Sequence, residues 1–525
     1  MTLTERRLLL KRLIKSGYQV SPDALDYILS LETPSSVVDA IIEVSTSIEG
    51  PNVLSRDYIV KLLEGPESKE SVQEIPSPTE PVVEKKSHRL QVQPESVSDI
   101  KDWAITILKN PQLDSVGSAG TVEDFLALFH DRFQRIKQIY LSRIDTQTAI
   151  SPSAAKATSG AARRRRAMGR EAQRSRRPPS QKVIGITKTK NISRSRNVIL
   201  EIEDTEDSII VVVPTGIEGL RGQNLSEKAN AIMLDEVVCI SGYVDEDGRM
   251  IADDVIFPDI PTARDVGRAK RDVYAVFISD LHCGSSEFLE DEFDYFIDWL
   301  RGRQSMDTPK AVVEQVRYLF IAGDLVDGIG VYPEQRSDLA IPDIFDQYAL
   351  LSAKLRSLPD RIKIICIPGN HDACRQALPK PQISDEFAQS LHALNEKILM
   401  LGDPAHIVVE GVNVLITHGD SLDDLVTNIP GASYKEPALP MKSLLQKRHL
   451  APLYGNKTEL APLHRDWMVI DTPPDIVHFG HAHHNAVDNY RGVQIINSGT
   501  FQAQTDFMRK QGVVPTPGIV TLLNL

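Results

Sequence analysis

Five short apolar runs in the last half of the chain each stop at residues able to bind a metal ion, and this repetition limits the fold more than anything else in the sequence. YAVFIS runs into Asp280 and His282, and RYLFIA runs into Gly323, Asp324 and Asp327. IKIICIP leads to Gly369, Asn370, His371 and Asp372, VNVLIT to His418, Gly419 and Asp420, and DIVHF to Gly480, His481 and His483. Short runs rich in Ile and Val are strands of a sheet buried on both faces. Open α/β sheets carry their sites at the carboxyl ends of the strands, where all of these residues fall. Gly323, Gly369 and Gly480 let the backbone turn sharply at three of those ends.

The residue types set the chemistry. Aspartate, asparagine and imidazole together suit Mn²⁺, Fe²⁺ or Zn²⁺ and differ from a thiolate structural site. A pair of ions about 3.5–4 Å apart needs one bridging carboxylate, and can then activate water and polarise a phosphoryl oxygen. Asp324 is the natural bridge. A lone histidine after a strand is more often packed than ligating, but five elements in order at strand ends reverse that expectation. His478, inside its strand, reads as packed, His484 can face either way, and Cys283 reads as a packed thiol.

The rest of the chain divides by composition. Residues 1–65 read as a small helical module, with Leu8, Leu9, Leu13 and Ile14 at helical spacing, then Ser21 as an N-cap before Pro22. Residues 66–98 are rich in Pro, Glu, Ser and Lys and too poor in apolar side chains to fold, so they read as a disordered linker. Residues 99–146 read as a helical segment, in which Phe125, Leu126, Phe129, Phe133, Ile136 and Ile139 share one face of a helix over Val122–Arg143. Residues 147–182 form an arginine-rich linker. There Arg163, Arg164, Arg165 and Arg166 either track nucleic-acid phosphates or are a solvated charge run. Residues 183–260 alternate as short antiparallel strands with turns near Thr205–Asp207 and Asp245–Gly248, which suits an OB-type barrel. The metal-binding strand ends fall in residues 270–525. The fold class expected is therefore α/β plus all-β.

A formal net charge of −13 does not exclude a polyanionic partner, because local charge governs docking. Four cysteines without CxxC spacing fit a reducing compartment. No apolar run is long enough to span a bilayer and the start does not read as a signal peptide, so a cytoplasmic location and no membrane partner are expected.

The ordered set DxH, GDxxD, GNHD, a lone His before Gly, and GHxH resembles the calcineurin-like metallophosphoesterase superfamily. The resemblance implies an α/β/β/α sandwich. It also implies that Asp280, His282 and His483 with bridging Asp324 hold one divalent ion, and that Asn370, His418 and His481 with Asp324 hold a second. Mn²⁺ is expected first, with Fe²⁺ or Mg²⁺ as alternatives. His371 would orient the phosphate and protonate the leaving oxygen, and Asp372 would steady its ring.

The stretches FISDLHCGS, IAGDLVDGIG, CIPGNHDACRQALPKP, THGDSLDDLV, KRHLAPLYGNKTELAP and NSGTFQAQT narrow the match. With the architecture, they resemble the small-subunit family of archaeal family D DNA polymerases, over about residues 190–525 by motif and further upstream by architecture. That resemblance implies a 3′→5′ exonuclease that degrades single-stranded or mismatched DNA ends as a proofreader. Its partners would be DNA and a large catalytic subunit that carries synthesis. Two other readings stand beside it. A non-catalytic scaffold would have lost metal ligands, yet no ligand position departs from the pattern. A stand-alone phosphatase would leave the arginine run, the barrel and the helical module without a purpose.

Overall fold

The computed structural model describes residues 103–158, 180–304 and 308–525, with residues 19–20, 27–28 and 53–54. It separates into two units, Met1–Gln93 and Pro94–Leu525. In the first, Gln19–Val20 pairs in parallel with Val53–Leu54, a strand pairing that an all-helical module does not contain, and Tyr27 and Ile28 are helical. The rest of that module, the 66–98 segment and Arg163–Arg166 lie outside the described residues.

The second unit opens on a strand, β1 (Ile105–Lys109), where a helical segment is expected. β1 adds antiparallel to the edge of a sheet built almost entirely by the last quarter of the chain. Its pairing partner lies some 300 residues away, so no local pattern reveals it.

Helix α1 (Val122–Leu141) follows, and Thr121 caps it by accepting from Asp124 N while Asp124 answers to the Thr121 N–H. Its buried face comprises Asp124, Leu128, Arg132, Phe133, Ile136 and Tyr140. This stripe is rotated from the expected one: Leu126 is 66% exposed, whereas Arg132 is fully buried. Removing the cap in Thr121→Ala is expected to cost about 1 kcal/mol, read as a lower denaturation midpoint with an unchanged m-value.

The next strands close into a five-stranded barrel. They are β2 (Gln181–Ile192), β3 (Val198–Glu203), β4 (Ser208–Val213), β5 (Val237–Val244) and β6 (Met250–Ile256), in the order β2-β3-β4-β6-β5. Both expected hairpins are present, as β3–β4 and β5–β6. Helix α2 (Leu220–Ala231), which strand alternation alone does not announce, packs Leu225 and Ala229 into the barrel core.

Two sheets then share the five strand ends that carry the candidate metal ligands. The first contains β7 (Tyr274–Ile278), β8 (Val316–Ala322), β9 (Lys363–Ile367) and β10 (Ile398–Met400), all parallel. The second contains β11 (Ala405–Val409), β12 (Val412–Ile416), β13 (Ile476–Phe479), β14 (Ala486–Tyr490) and β15 (Val493–Asn497), with β1 on its edge. The C-terminal strand β16 (Thr521–Asn524) returns antiparallel to β7. Phe277, Phe320 and Ile365 of the first sheet pack on Ile407, Val414 and Ile496 of the second, so the sheets lie face to face. Helices carrying Phe293, Trp299 and Tyr348 cover the outer face of the first sheet, and those carrying Leu425, Met441 and Leu444 cover that of the second.

A buried polar cluster joins α1, the barrel and the sheets. Arg132 donates to Asp466 Oδ2 at 2.7 Å, to the Asp235 carbonyl just before β5 at 2.9 Å, and to the Pro452 carbonyl at 2.6 Å. His449 meets the same Asp466 oxygen at 2.9 Å. Lys447 donates to the Ala231 carbonyl and pairs with Glu236 of the barrel segment, both side chains being buried. The KRHL stretch is thus the seam between parts. Among the described residues, no helix is long and apolar enough to cross a membrane.

Candidate active site

The five strand ends meet at one place. β7 delivers Asp280 and His282, β8 delivers Asp324 and Asp327, and β9 delivers Asn370 to Asp372, while β12 and β13 bring His418 and then His481 and His483 from the second sheet. The turns are sharp. Asp280, His282, Asp324, His481 and His483 have φ of 52°, 51°, 49°, 66° and 52°. Such left-handed backbone costs of order 1–3 kcal/mol per residue and persists where the surroundings hold it, commonly at functional sites. Gly369 permits the closest approach, since a Cβ there would lie 2.1 Å from Asp324 Oδ1.

Acceptor atoms converge. Asp324 Oδ2 lies 3.6 Å from His282 Nε2 and 3.3 Å from His418 Nε2, and Asp280 Oδ1 lies 3.4 Å from His483 Nε2. Asn370 Oδ1 lies 2.9 Å from His418 Nε2 and 3.1 Å from His481 Nδ1, and His282 Nε2 is 3.1 Å from His483 Nε2. Asp280, His282, Asp324 and His483 have ligating atoms mutually within 4.8 Å.

The outer contacts settle which nitrogens face inward. His418 Nδ1 lies 2.8 Å from the Ala322 carbonyl, His282 Nδ1 3.0 Å from Asp327 Oδ1, and His481 Nε2 3.0 Å from Asp423 Oδ1. Those oxygens only accept, so these nitrogens donate, and the opposite nitrogen of each ring points inward at oxygens. Lone pairs aimed at carboxylate and amide oxygens repel unless a proton or a metal ion lies between them, so the residues fit positive charge at this point.

The electrostatics agree. Burial disfavours charge on Asp324, but His418, His371 and His282 around it hold its carboxyl well below the usual range. For Asp280 burial again opposes charge, and His483 outweighs it. Burial works against a charged His418, yet Asp324 beside it pushes its pKa up to about 10.

One expectation about an individual residue changes. Asp372 does not steady the His371 ring: its carboxyl accepts from Gly369 N at 2.8 Å, Leu325 N at 3.2 Å and the Tyr348 hydroxyl at 3.1 Å. Burial, with Asp324 nearby, raises its pKa to about 6. It braces the turn backbone that carries Asn370 and His371. The His371 ring is held instead by the Asp327 carbonyl, 2.8 Å from Nδ1, while the His371 backbone N–H donates to Asp324 Oδ1.

Asp327 therefore holds two rings, His282 by its carboxylate and His371 by its carbonyl. Asp423 does the same for His481. Neither stands out in the sequence as a ring-holding residue, although GDxxD and the acidic run after His418 contain them. His478 is fully buried against Ser498 and Phe277, and burial pushes the buried Cys283 thiol upward. Lys380, also fully buried, pairs with Asp420 beside His418.

Known proteins with similar sequences agree on one family. The B-subunit family of DNA polymerases alpha and epsilon matches residues 275–487. The DNA polymerase II small subunit of Archaeoglobus fulgidus is 36% identical over 514 residues, 98% of this chain and 94% of that protein. That of Pyrococcus horikoshii is 35% identical over 94% of this chain and 76% of its own length. That of Methanothermobacter thermautotrophicus is 40% identical over 65% of this chain and 69% of its own. The similarity thus reaches well upstream of residue 190. With this coverage and identity, the chain belongs to the family of archaeal DNA polymerase II small subunits.

Proposed function

We propose that this chain is a 3′→5′ exonuclease that trims single-stranded or mismatched DNA ends beside a large subunit carrying DNA synthesis. One observation supports this above the rest: Asp324 Oδ2 stands between His282 Nε2 and His418 Nε2, with Asn370 and Asp280 completing an inward-facing acceptor set. In this reading Asp280, His282, His483 and Asp324 hold one divalent ion, and Asn370, His418, His481 and Asp324 hold another, Mn²⁺ before Fe²⁺ or Mg²⁺. Bound there, such ions supply an activated water and charge opposite the phosphoryl oxygens. The face-to-face sheets are then a calcineurin-like phosphoesterase sandwich over residues 270–525, the barrel is of OB type, and Arg163–Arg166 track phosphates.

The chain's own residues do the rest. His371 has Nδ1 engaged by the Asp327 carbonyl, so Nε2 is the nitrogen offered to a phosphoryl or leaving oxygen. Asp327 and Asp423 fix ring orientation. Asp372 keeps the 369–372 turn rigid through Gly369 N and Leu325 N.

The test uses the chain with its large subunit, Mn²⁺ and a 5′-labelled primer ending in a mismatch. Products should shorten stepwise from the 3′ end, faster than for a paired end. His371→Ala, with unchanged circular dichroism, should slow this by roughly 10²–10⁴-fold, the usual contribution of a positioned acid or base. Products shortened from the 5′ end, or none at all, would overturn the reading.

A further inference from the structure

Aromatic rings run outward from the site in a row. The His282 and His371 rings meet edge to face with centroids 4.6 Å apart, Tyr332 lies 6.4 Å beyond His371, and Phe507 stacks on Tyr332 at 5.7 Å with 21° between planes. Phe507 ends the row with 52% of its surface exposed. Phe507 therefore packs on Tyr332 while about half of its surface stays open to solvent, beside the site.

Both aromatic residues are fastened to the site by rigid, polar connections. Tyr332 sits in the loop after β8, where its hydroxyl donates to Asp338 at 3.1 Å. The same loop is pinned by Gln335, fully buried, whose amide donates to the Asp327 carbonyl and carboxylate. Asp327 is the residue that holds both His282 and His371. Phe507 hangs from the other side: Thr500 donates to the Asp280 carbonyl and Gln502 to Asp327 Oδ1. Five residues on from Thr500, Thr505 caps the short helix Asp506–Gln511 that carries Phe507. The NSGTFQAQT stretch thus begins behind the metal-facing residues and leads out to the outermost ring.

We infer that Tyr332 and Phe507 form a stacking subsite for a nucleobase of the single-stranded end whose phosphodiester lies at His371. This rests on the nuclease reading above and deepens it. A flat apolar face is sequence-tolerant because every base has a π-face, and stacking on protein aromatics is worth enough to position an unpaired strand. Duplex DNA cannot use the subsite without unpairing, because its bases are already stacked on one another. The subsite therefore accounts for a preference for frayed or mismatched ends through geometry rather than through reading of base identity.

Two measurements on the full chain with its large subunit test this. The first compares Phe507→Ala and Phe507→Trp on an ordinary single-stranded oligonucleotide and on one whose 3′-terminal three nucleotides are abasic. Phe507→Ala should lower kcat/KM on the ordinary end by on the order of ten-fold and by less than two-fold on the abasic end, and Phe507→Trp should restore the loss. Equal losses on both ends, or no loss on the ordinary end, overturn the subsite. The second measures 2-aminopurine placed near the 3′ end, whose fluorescence should be quenched on binding to the parent and not to Phe507→Ala. Quenching that depends on Phe507 without any cleavage would sink the nuclease reading while keeping the stacking surface. Cleavage without such quenching would do the reverse.

Discussion

Asp324→Asn is expected to reduce phosphodiester hydrolysis by the chain by a thousand-fold or more, to the level seen with excess chelator. The substitution changes one oxygen to an amide group, keeps the volume, and leaves the other oxygen able to accept from His371 N at the distance now seen, 2.8 Å. What it removes is the negative charge facing His282 Nε2 and His418 Nε2. A bound metal ion contributes several kcal/mol of transition-state charge stabilisation, which is lost with the ligand charge that holds it, and each 1.4 kcal/mol or so is ten-fold in rate. Calorimetric titration with Mn²⁺ should show the loss directly, as fewer or weaker binding events while the unfolding midpoint in chelator stays close to that of the parent. Full activity in the variant, with metal binding unchanged, would mean that Asp324 does not bridge.

Asp466→Ala should produce the largest loss of stability. It strips the partner from the fully buried guanidinium of Arg132 and from His449. Breaking a buried pair by removing one member costs about 3–5 kcal/mol, because the survivor stays behind uncompensated. A natural domain has only about 5–15 kcal/mol in total, so the variant should unfold at markedly lower denaturant. Asp466→Asn, which keeps an acceptor but no charge, should fall between.

The same cluster makes the fold acid-sensitive. Ala451 N donates to His449 Nδ1, which fixes a neutral ring, and burial with Arg132 nearby lowers its pKa to about 4. The unfolded chain binds that proton from about pH 6.5 downward and the folded one does not. Stability should therefore decline by about 1.4 kcal/mol per pH unit between those values on this account alone. Burial also opposes charge on Asp466, but the His449 Nε2–H hydrogen bond and the Arg132 guanidinium hold its carboxyl well below the usual range. Its contribution is present above the unfolded carboxylate value and fades only in stronger acid. Urea titrations at pH 7, 6 and 5 would show the slope, and a flat profile would contradict the neutral, buried state of His449.

The convergence of the strand ends is legible in the sequence because period and position are local: each apolar run announces a buried strand, and its last residues must lie at one end of a sheet. The division into two sheets is not, since β7 to β9 and β12 to β13 look alike in composition and differ only in their pairing. Arg132 escapes such a reading because a helical face is traced from apolar side chains, while this arginine is made compatible with the interior by Asp466, 334 residues away. Asp372 looks like the partner of the His371 ring, a contact that the Asp327 carbonyl makes, because a motif names neighbours along the chain and says nothing of which backbone oxygen a turn presents. β1 is hidden for the simplest reason: an edge strand of five residues needs a distant partner before its pattern means anything.

β1 also changes how the protein can be divided. Residues 105–109 are woven into the sheet that holds His418 and His481, yet α1 and the whole barrel intervene before that sheet resumes. In topological terms the barrel is an excursion from the two-sheet body, tethered at both its entry and its exit. A shortened chain starting at residue 270 would leave β11 as a bare rim with unpaired amides and carbonyls, a template for indiscriminate association between molecules. The two-sheet body therefore has no clean seam at which it could be excised, exchanged between proteins, or shed by proteolysis while remaining monodisperse.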